Sequence, residues 1–271
     1  MPNKVRLFWW NERKIQHKAK ENYGDMLGKY LIEKISGKNV EFAWPKKWSY
    51  KDYFSPIYVT VGSILTHINK KCIVWGSGII NKTDPVKEAT FLAVRGPQTR
   101  KFLIEKGYQV PEVYGDPAIL LPDFYTPEIP KAYTLGIIPH YNDYKTAKKL
   151  LKGVPGIIVI DFMTNDVEKT TCEILACERI VSSSLHGLIV SHAYGIPAVW
   201  QKFSDKVFGD DIKYQDYMES VKIPFYKPEI RQTPYTFSEL EMLFINYPSL
   251  PNAQIMKNLK EGLIEVCPFE K

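Results

Sequence analysis

Short apolar runs that stop at glycine recur along this chain, and they restrict its fold more than any other feature. Residues 57–61 run into Gly62, residues 72–75 into Gly76, and residues 91–94 into Arg95 and Gly96. Polar and apolar residues hardly alternate within them, as expected of strands covered on both faces of a parallel sheet. Between the runs, apolar residues return at helical spacing. Met26, Leu27, Tyr30, Leu31 and Ile35 lead up to Gly37, and Thr99, Phe102 and Leu103 precede Gly107. Strand and helix alternate, which is the order of a doubly wound α/β layer.

The alternation starts again further on. Strand patterns at 134–139, 156–161, 179–182 and 198–200 are interleaved with helical ones at 144–152, 167–177 and from Leu185 onward, and a helix ends near Val221. The helix at 144–152 puts Lys145, Lys148, Lys149 and Lys152 on one face, a stripe that is either simply solvated or in touch with anionic lipid head groups. Between the two series lie Pro111, Pro117, Pro122, Pro127 and Pro130, a density that resists helix and central strand and marks a linker. We therefore expect an α/β chain of two doubly wound lobes facing a cleft, over 1–122 and 131–230. Helices at 238–244 and 252–266 belong to a tail, 231–271, that could pack back on the first lobe.

Bulk properties narrow the function. The 271 residues are 45% hydrophobic and carry a formal charge of +6, which suits anionic small molecules or an anionic membrane face. The basic residues are scattered without a nucleic-acid-binding signature, so no nucleic-acid partner is expected. Cys72, Cys172, Cys177 and Cys267 have no paired spacing and read as thiols of a reducing compartment. No run is long enough for a signal peptide or a membrane span. A cytoplasmic protein with at most peripheral membrane contact is expected.

Chemistry concentrates in residues 179–197, a strand, a tight turn and a helix. Ser182, Ser183 and Ser184 fall at the strand end and His186 in the first helical turn, where unpaired N–H groups and the helix dipole favour an anion; the alternative is that the serines only cap the helix and His186 is a partly solvated turn residue. Arg95 falls at another strand end, where its planar fork suits a carboxylate or phosphate. Asn22 or Asp25 can cap the first long helix. His140 follows a third strand and serves either as a ligand contact or as a turn residue. His192 lies within a helix and reads as core, while Trp9, Trp10, Tyr23 and Trp44 could pack inside or stack on a sugar. The three histidines lack metal-ligand spacing, so no metal is expected. Gly76-x-Gly78 lacks the third glycine and the acidic residue of a dinucleotide fingerprint. Ser184 with His186 lacks the glycine-flanked elbow of a serine hydrolase.

In order along the chain, Asn22-Tyr-Gly-Asp25, Gly62-Ser-Ile-Leu65, Val74-Trp-Gly-Ser-Gly-Ile79, Arg95-Gly-Pro97, Tyr114-Gly-Asp-Pro-Ala118 and Ser182-Ser-Ser-Leu-His-Gly187 resemble the polysaccharide pyruvyl transferase family. The segment from Lys213 to Tyr217 looks like that family's closing motif. The resemblance implies two Rossmann-like lobes in a GT-B-like arrangement. It implies pyruvyl transfer from phosphoenolpyruvate, with no further cofactor, to two hydroxyls of a sugar, forming a cyclic ketal on a cell-surface polysaccharide precursor. The acceptor could be lipid-linked and met at the inner membrane face; oligomeric state is not readable. By the same resemblance His186 and Arg95 would be catalytic. Asn22, Gly24, Asp25, Gly62, Ser63, Gly76, Ser77, Gly78, His140, Ser183, Ser184, Leu185, Gly187 and Lys213 would contact substrate. Gly62-Ser-Ile-Leu65 is less glycine-rich than the family's usual version. The rivals are a nucleotide-sugar glycosyltransferase and a non-catalytic glycan-binding module.

Overall fold

The computed structural model describes residues 4–231 and 233–269. In chain order the elements are β1 (Lys4–Phe8), α1 (Glu12–Gln16), β2 (Glu21–Asn22), α2 (Tyr23–Ser36), β3 (Asn39–Phe42), β4 (Ile57–Val59), β5 (Cys72–Trp75), β6 (Thr90–Ala93) and α3 (Pro97–Glu105). There follow β7 (Tyr133–Ile138), α4 (Tyr144–Leu150), β8 (Ile157–Val159), β9 (Met163–Thr164), α5 (Val167–Leu175), β10 (Cys177–Ser182), α6 (Leu185–Ala193), β11 (Ala198–Trp200), α7 (Ile212–Ser220), α8 (Phe237–Asn246) and α9 (Ala253–Glu265). Among the described residues no helix is long and apolar enough to cross a membrane.

The glycine-ended runs form parallel sheets. One has the order β3-β1-β4-β5-β6 and the other β11-β10-β7-β8, with every neighbouring pair parallel. A short antiparallel pair, β2 with β9, stitches the first half of the chain to the second. The two sheets share a core: Leu7 and Trp75 from one and Ile180 and Trp200 from the other belong to a single buried cluster, together with Leu27, Leu31, Leu188 and Ile189 of α2 and α6. The lysines at 145, 148, 149 and 152 are all exposed. His192 is core, bonded through Nδ1 to the Tyr217 hydroxyl (2.9 Å) and through Nε2 to the carbonyls of Ala198 and Ser249 (both 3.1 Å).

The proline-dense stretch opens with a buried 3-10 helix, Pro117–Asp123, rather than an exposed tether. Asp116 caps it by accepting from Ala118 N, and Pro117 takes the first position, where its missing N–H costs nothing. Residues Ala118 to Leu121 are at most 2% exposed. Beyond it, α8 adds Leu240 to the core beneath β7, beside Leu135 and Ile137. The last helix returns to the first sheet, where Trp75 Nε1 donates to Leu263 O at 3.0 Å and Phe269 packs on Tyr58 and Trp75.

Candidate active site

Two helix starts meet over one cavity. At the first, Asn22 caps α2 and accepts from Gly24 N (3.0 Å) and Asp25 N (3.4 Å). At the second, the Ser182 hydroxyl donates to Ile138 O and accepts from Ser184 N, which fixes the turn from β10 into α6. The first N–H groups of α6 have no intrahelical acceptor. Gly24 lets the two starts touch, since a Cβ there would stand 2.2 Å from His186 Nδ1. Gly187 does the same for the serine turn, with Ser182 Oγ 2.3 Å from where its Cβ would be.

The cavity holds about 320 Å³. Asn22, Asp25, Ser63, His140, Ser184, Leu185, His186 and Lys213, all candidates from the sequence, line it together with Trp10, Glu12, His67, Tyr141 and Phe208. His186 is 9% exposed, and its Nε2 is buried 3.5 Å from Oδ2 of the fully buried Asp116. The other Asp116 oxygen is held by Ala118 N.

Charge is unusually placed around this pair. Burial first, then Glu12 and Glu21, push the Asp25 carboxyl well above the usual carboxylate range, against the pull of Lys213 and Lys18. Burial and the neighbouring Arg95 bring Lys213 down to about 8, while its Nζ donates to Phe208 O at 2.9 Å. Burial, helped by Lys213 and Lys18, takes His140 down to about 3, and burial with Lys46 takes His67 to about 4. Near neutral pH the cavity presents an ammonium, two neutral imidazoles and a carboxyl made basic by its surroundings.

Arg95 does not line this cavity. It is fully buried, and its guanidinium is spent on Asp216 Oδ2 (Nε, 2.9 Å), Ser63 Oγ (Nη1, 2.5 Å) and Ile79 O (Nη2, 2.7 Å). Asp216 in turn accepts from Thr99 N and Thr99 Oγ1, so α3 and α7 are bolted together beneath the cavity wall. Arg95 acts on the cavity through Ser63, which it holds. Several other candidates also lie behind the wall. Gly78 backs onto the Arg95 guanidinium, and Gly76, at φ +91, fits against Pro117. Ser77 Oγ donates to Gly62 O, and Ser183 Oγ donates to Asp143 while accepting from His140 N. Gly62 and Gly187 are likewise absent from the lining.

The sequence alone does not mark Asp116, Glu12, His67 or Tyr141 as site residues. Asp116 was visible as the middle of Gly-Asp-Pro, but an aspartate before proline reads as a helix cap, and it is one. Glu12 is fully buried and ion-paired to Lys18 at 2.8 Å; nothing in Asn11-Glu12-Arg13 announces that. Among the described residues, no group of three or more His, Cys, Asp or Glu side chains is placed to hold a metal ion.

A family model described as polysaccharide pyruvyl transferase matches residues 22–200, from the α2 cap to the end of β11. The chain is 31% identical over 253 residues to uncharacterized protein L143 of Acanthamoeba polyphaga mimivirus, covering 90% of this chain and 86% of that protein. Among solved structures, GTP-bound wild type EhRabX3 from Entamoeba histolytica aligns over 97% of this chain and 99% of its own, at 11% identity and a TM-score of 0.22.

Proposed function

Because the chain belongs to the polysaccharide pyruvyl transferase family, we propose that the cavity moves a pyruvyl group from phosphoenolpyruvate onto two hydroxyls of a sugar. The observation that carries this reading is the His186–Asp116 pair, set at a helix start and facing Lys213 and Asp25 across a space suited to a small anion. The open N–H groups of α6 and the Lys213 ammonium bind the donor's carboxylate and phosphate. Asp116 Oδ2 and His186 Nε2 are both buried and neither has a hydrogen-bond partner among the described residues, so closing the 3.5 Å between them would let the carboxylate orient the ring, as carboxylates do behind catalytic histidines.

In this reading His186 gives a proton to C3 of the enol, C2 becomes electron-poor, and a sugar hydroxyl adds there while its proton passes to Asp25. Phosphate leaves with its electron pair. The neighbouring hydroxyl closes the ring at C2 and returns its proton to the imidazole, and the proton on Asp25 departs with phosphate. Arg95 keeps its place in this scheme as the strut under Ser63 rather than as the grip on the donor. The GT-B-like arrangement of lobes, a lipid-linked acceptor and a place at the inner membrane face belong to the same proposal.

The test is incubation with labelled phosphoenolpyruvate and a panel of model glycosides, following phosphate and ketal. Both should appear together, and phosphoenolpyruvate alone should raise the melting temperature, because a ligand that binds only the native state stabilises it. Stabilisation by UDP- or GDP-sugars but not by phosphoenolpyruvate would transfer the site to glycosyl transfer. Glycan binding without phosphate release would make it a binding module.

A further inference from the structure

Between β3 and β4 the chain displays four large rings to solvent. Trp48 is 66% exposed, Tyr50 64%, Tyr53 76% and Phe54 84%. A lone exposed ring is ordinary, but four exposed rings between residues 48 and 54 of one water-facing turn mark a contact site. The turn is also built to hold the rings out. Tyr50–Tyr53 is a 3-10 helix with a capping box, in which Ser49 and Asp52 satisfy each other's backbone. The buried Asp52 carboxylate ties the turn to the first sheet, accepting from Arg6 Nη2 (2.5 Å) in β1 and from Lys71 Nζ (3.2 Å). Trp48 and Tyr53 brace one another edge to face, with ring centres 6.4 Å apart.

Charge selects the partner. Lys46 and Lys47 are exposed beside the rings, and among the described residues neither makes an ion pair, whereas Lys51 is taken by Glu41. Tryptophan and tyrosine prefer the level of lipid head groups, where one end of the ring is dry and the other wet, and adjacent lysines add attraction to anionic lipid. A bilayer needs no matching groove for such a turn. The turn also stands close to the cavity. Trp44 packs edge to face on His67 of the cavity wall at 6.2 Å, and Lys46 is near enough to His67 to disfavour its charged form.

We propose that residues 46–54 are a membrane foot: Trp48, Tyr50, Tyr53 and Phe54 seat in the head-group layer of an anionic bilayer while Lys46 and Lys47 pair with its lipid charges. This holds whatever chemistry the cavity performs. The full-length protein should co-sediment with vesicles of phosphatidylcholine and phosphatidylglycerol at physiological salt, and much less with phosphatidylcholine alone. Lys46→Glu with Lys47→Glu should weaken binding by at least roughly fivefold per lysine. Trp48→Ser with Phe54→Ser should abolish it, both double variants melting like the parent. In a Trp48→Phe protein the blue shift of tryptophan emission on vesicle binding should shrink while binding persists. The proposal is overturned if the parent protein stays in the supernatant with anionic vesicles, or if the aromatic double variant binds like the parent. It is equally overturned if the parent is a dimer that the aromatic double variant dissociates, which would give the rings to a second copy.

Discussion

At the level of single residues, the consequential pair is one that sequence could show only by halves. His186 could be found because strand, serine turn and helix follow one another directly. Its partner Asp116 lies 3.5 Å away in space and seventy positions earlier in the chain, a relation that no local pattern encodes. Asp116→Asn keeps the cap on Ala118 through its amide oxygen but presents the wrong group to Nε2. Turnover should fall on the order of 10²–10⁴-fold with little change in melting temperature, read from steady-state phosphate release. A second outcome follows from Lys213, whose buried ammonium titrates near 8 rather than at the usual 10.5. As pH rises through 8 that positive charge is lost, so donor affinity should fall over the same interval. A pH profile of kcat/KM should show that limb, and Lys213→Arg should move it upward because a guanidinium stays charged. Arg95 shows the converse: as a strand-end arginine it reads as reaching the crevice, but its guanidinium is buried. It is claimed instead by Asp216, 121 positions on, and the partner's identity was not legible.

Among elements, the parallel strands and long helices were readable because their signals are local and repeated. The runs at 72–75 and 198–200 coincide with β5 and β11, and the helix read up to Gly37 is α2, whose C-cap is Gly37 itself. What escaped was short or governed by tertiary contact. The five-residue α1, capped by Asn11 and ended by His17 at φ 56, is too brief for a period to show, and the pairing of β2 with β9 joins residues with no common motif. The seam between α3 and α7 gives a prediction of its own. Gly96 abuts Asp216 so closely that a Cβ would stand 2.0 Å from its carbonyl oxygen. Gly96→Ala should therefore cost about 1–3 kcal/mol through overpacking. Asp216→Ala, which strands a buried guanidinium, should cost about 3–5 kcal/mol. Urea unfolding measures both, and a cost near zero for Asp216→Ala would mean that the seam is not holding the helices.

Over the whole molecule, the chain's late residues govern its middle. Leu263 of α9 is fully buried, accepts through its carbonyl from Trp75, and touches the place where a Cβ on Gly115 would be, at 2.8 Å. Gly115 immediately precedes Asp116. Leu263→Ala should cost about 2–5 kcal/mol as a cavity-forming change. It should also lower kcat more than it raises KM, because the carboxylate behind His186 loses its backing. An unchanged kcat in a destabilised variant would show that α9 supports the sheet alone. The tail's return to the first sheet could be named from sequence only as something such tails do, since the contact depends on one indole and one carbonyl.

The buried arginine has a bearing on how relatives of this chain should be judged. Gly78, Arg95, Gly96 and Asp216 interlock so tightly that none can drift without disturbing the others. A descendant that had given up transfer chemistry would still be under pressure to keep all four, merely to stay folded. Finding the Arg-Gly-Pro signature in another genome would then vouch for inherited architecture, whereas under the proposed mechanism the aspartate of Gly-Asp-Pro taken together with the histidine of Ser-Leu-His-Gly would be the better sign of retained activity.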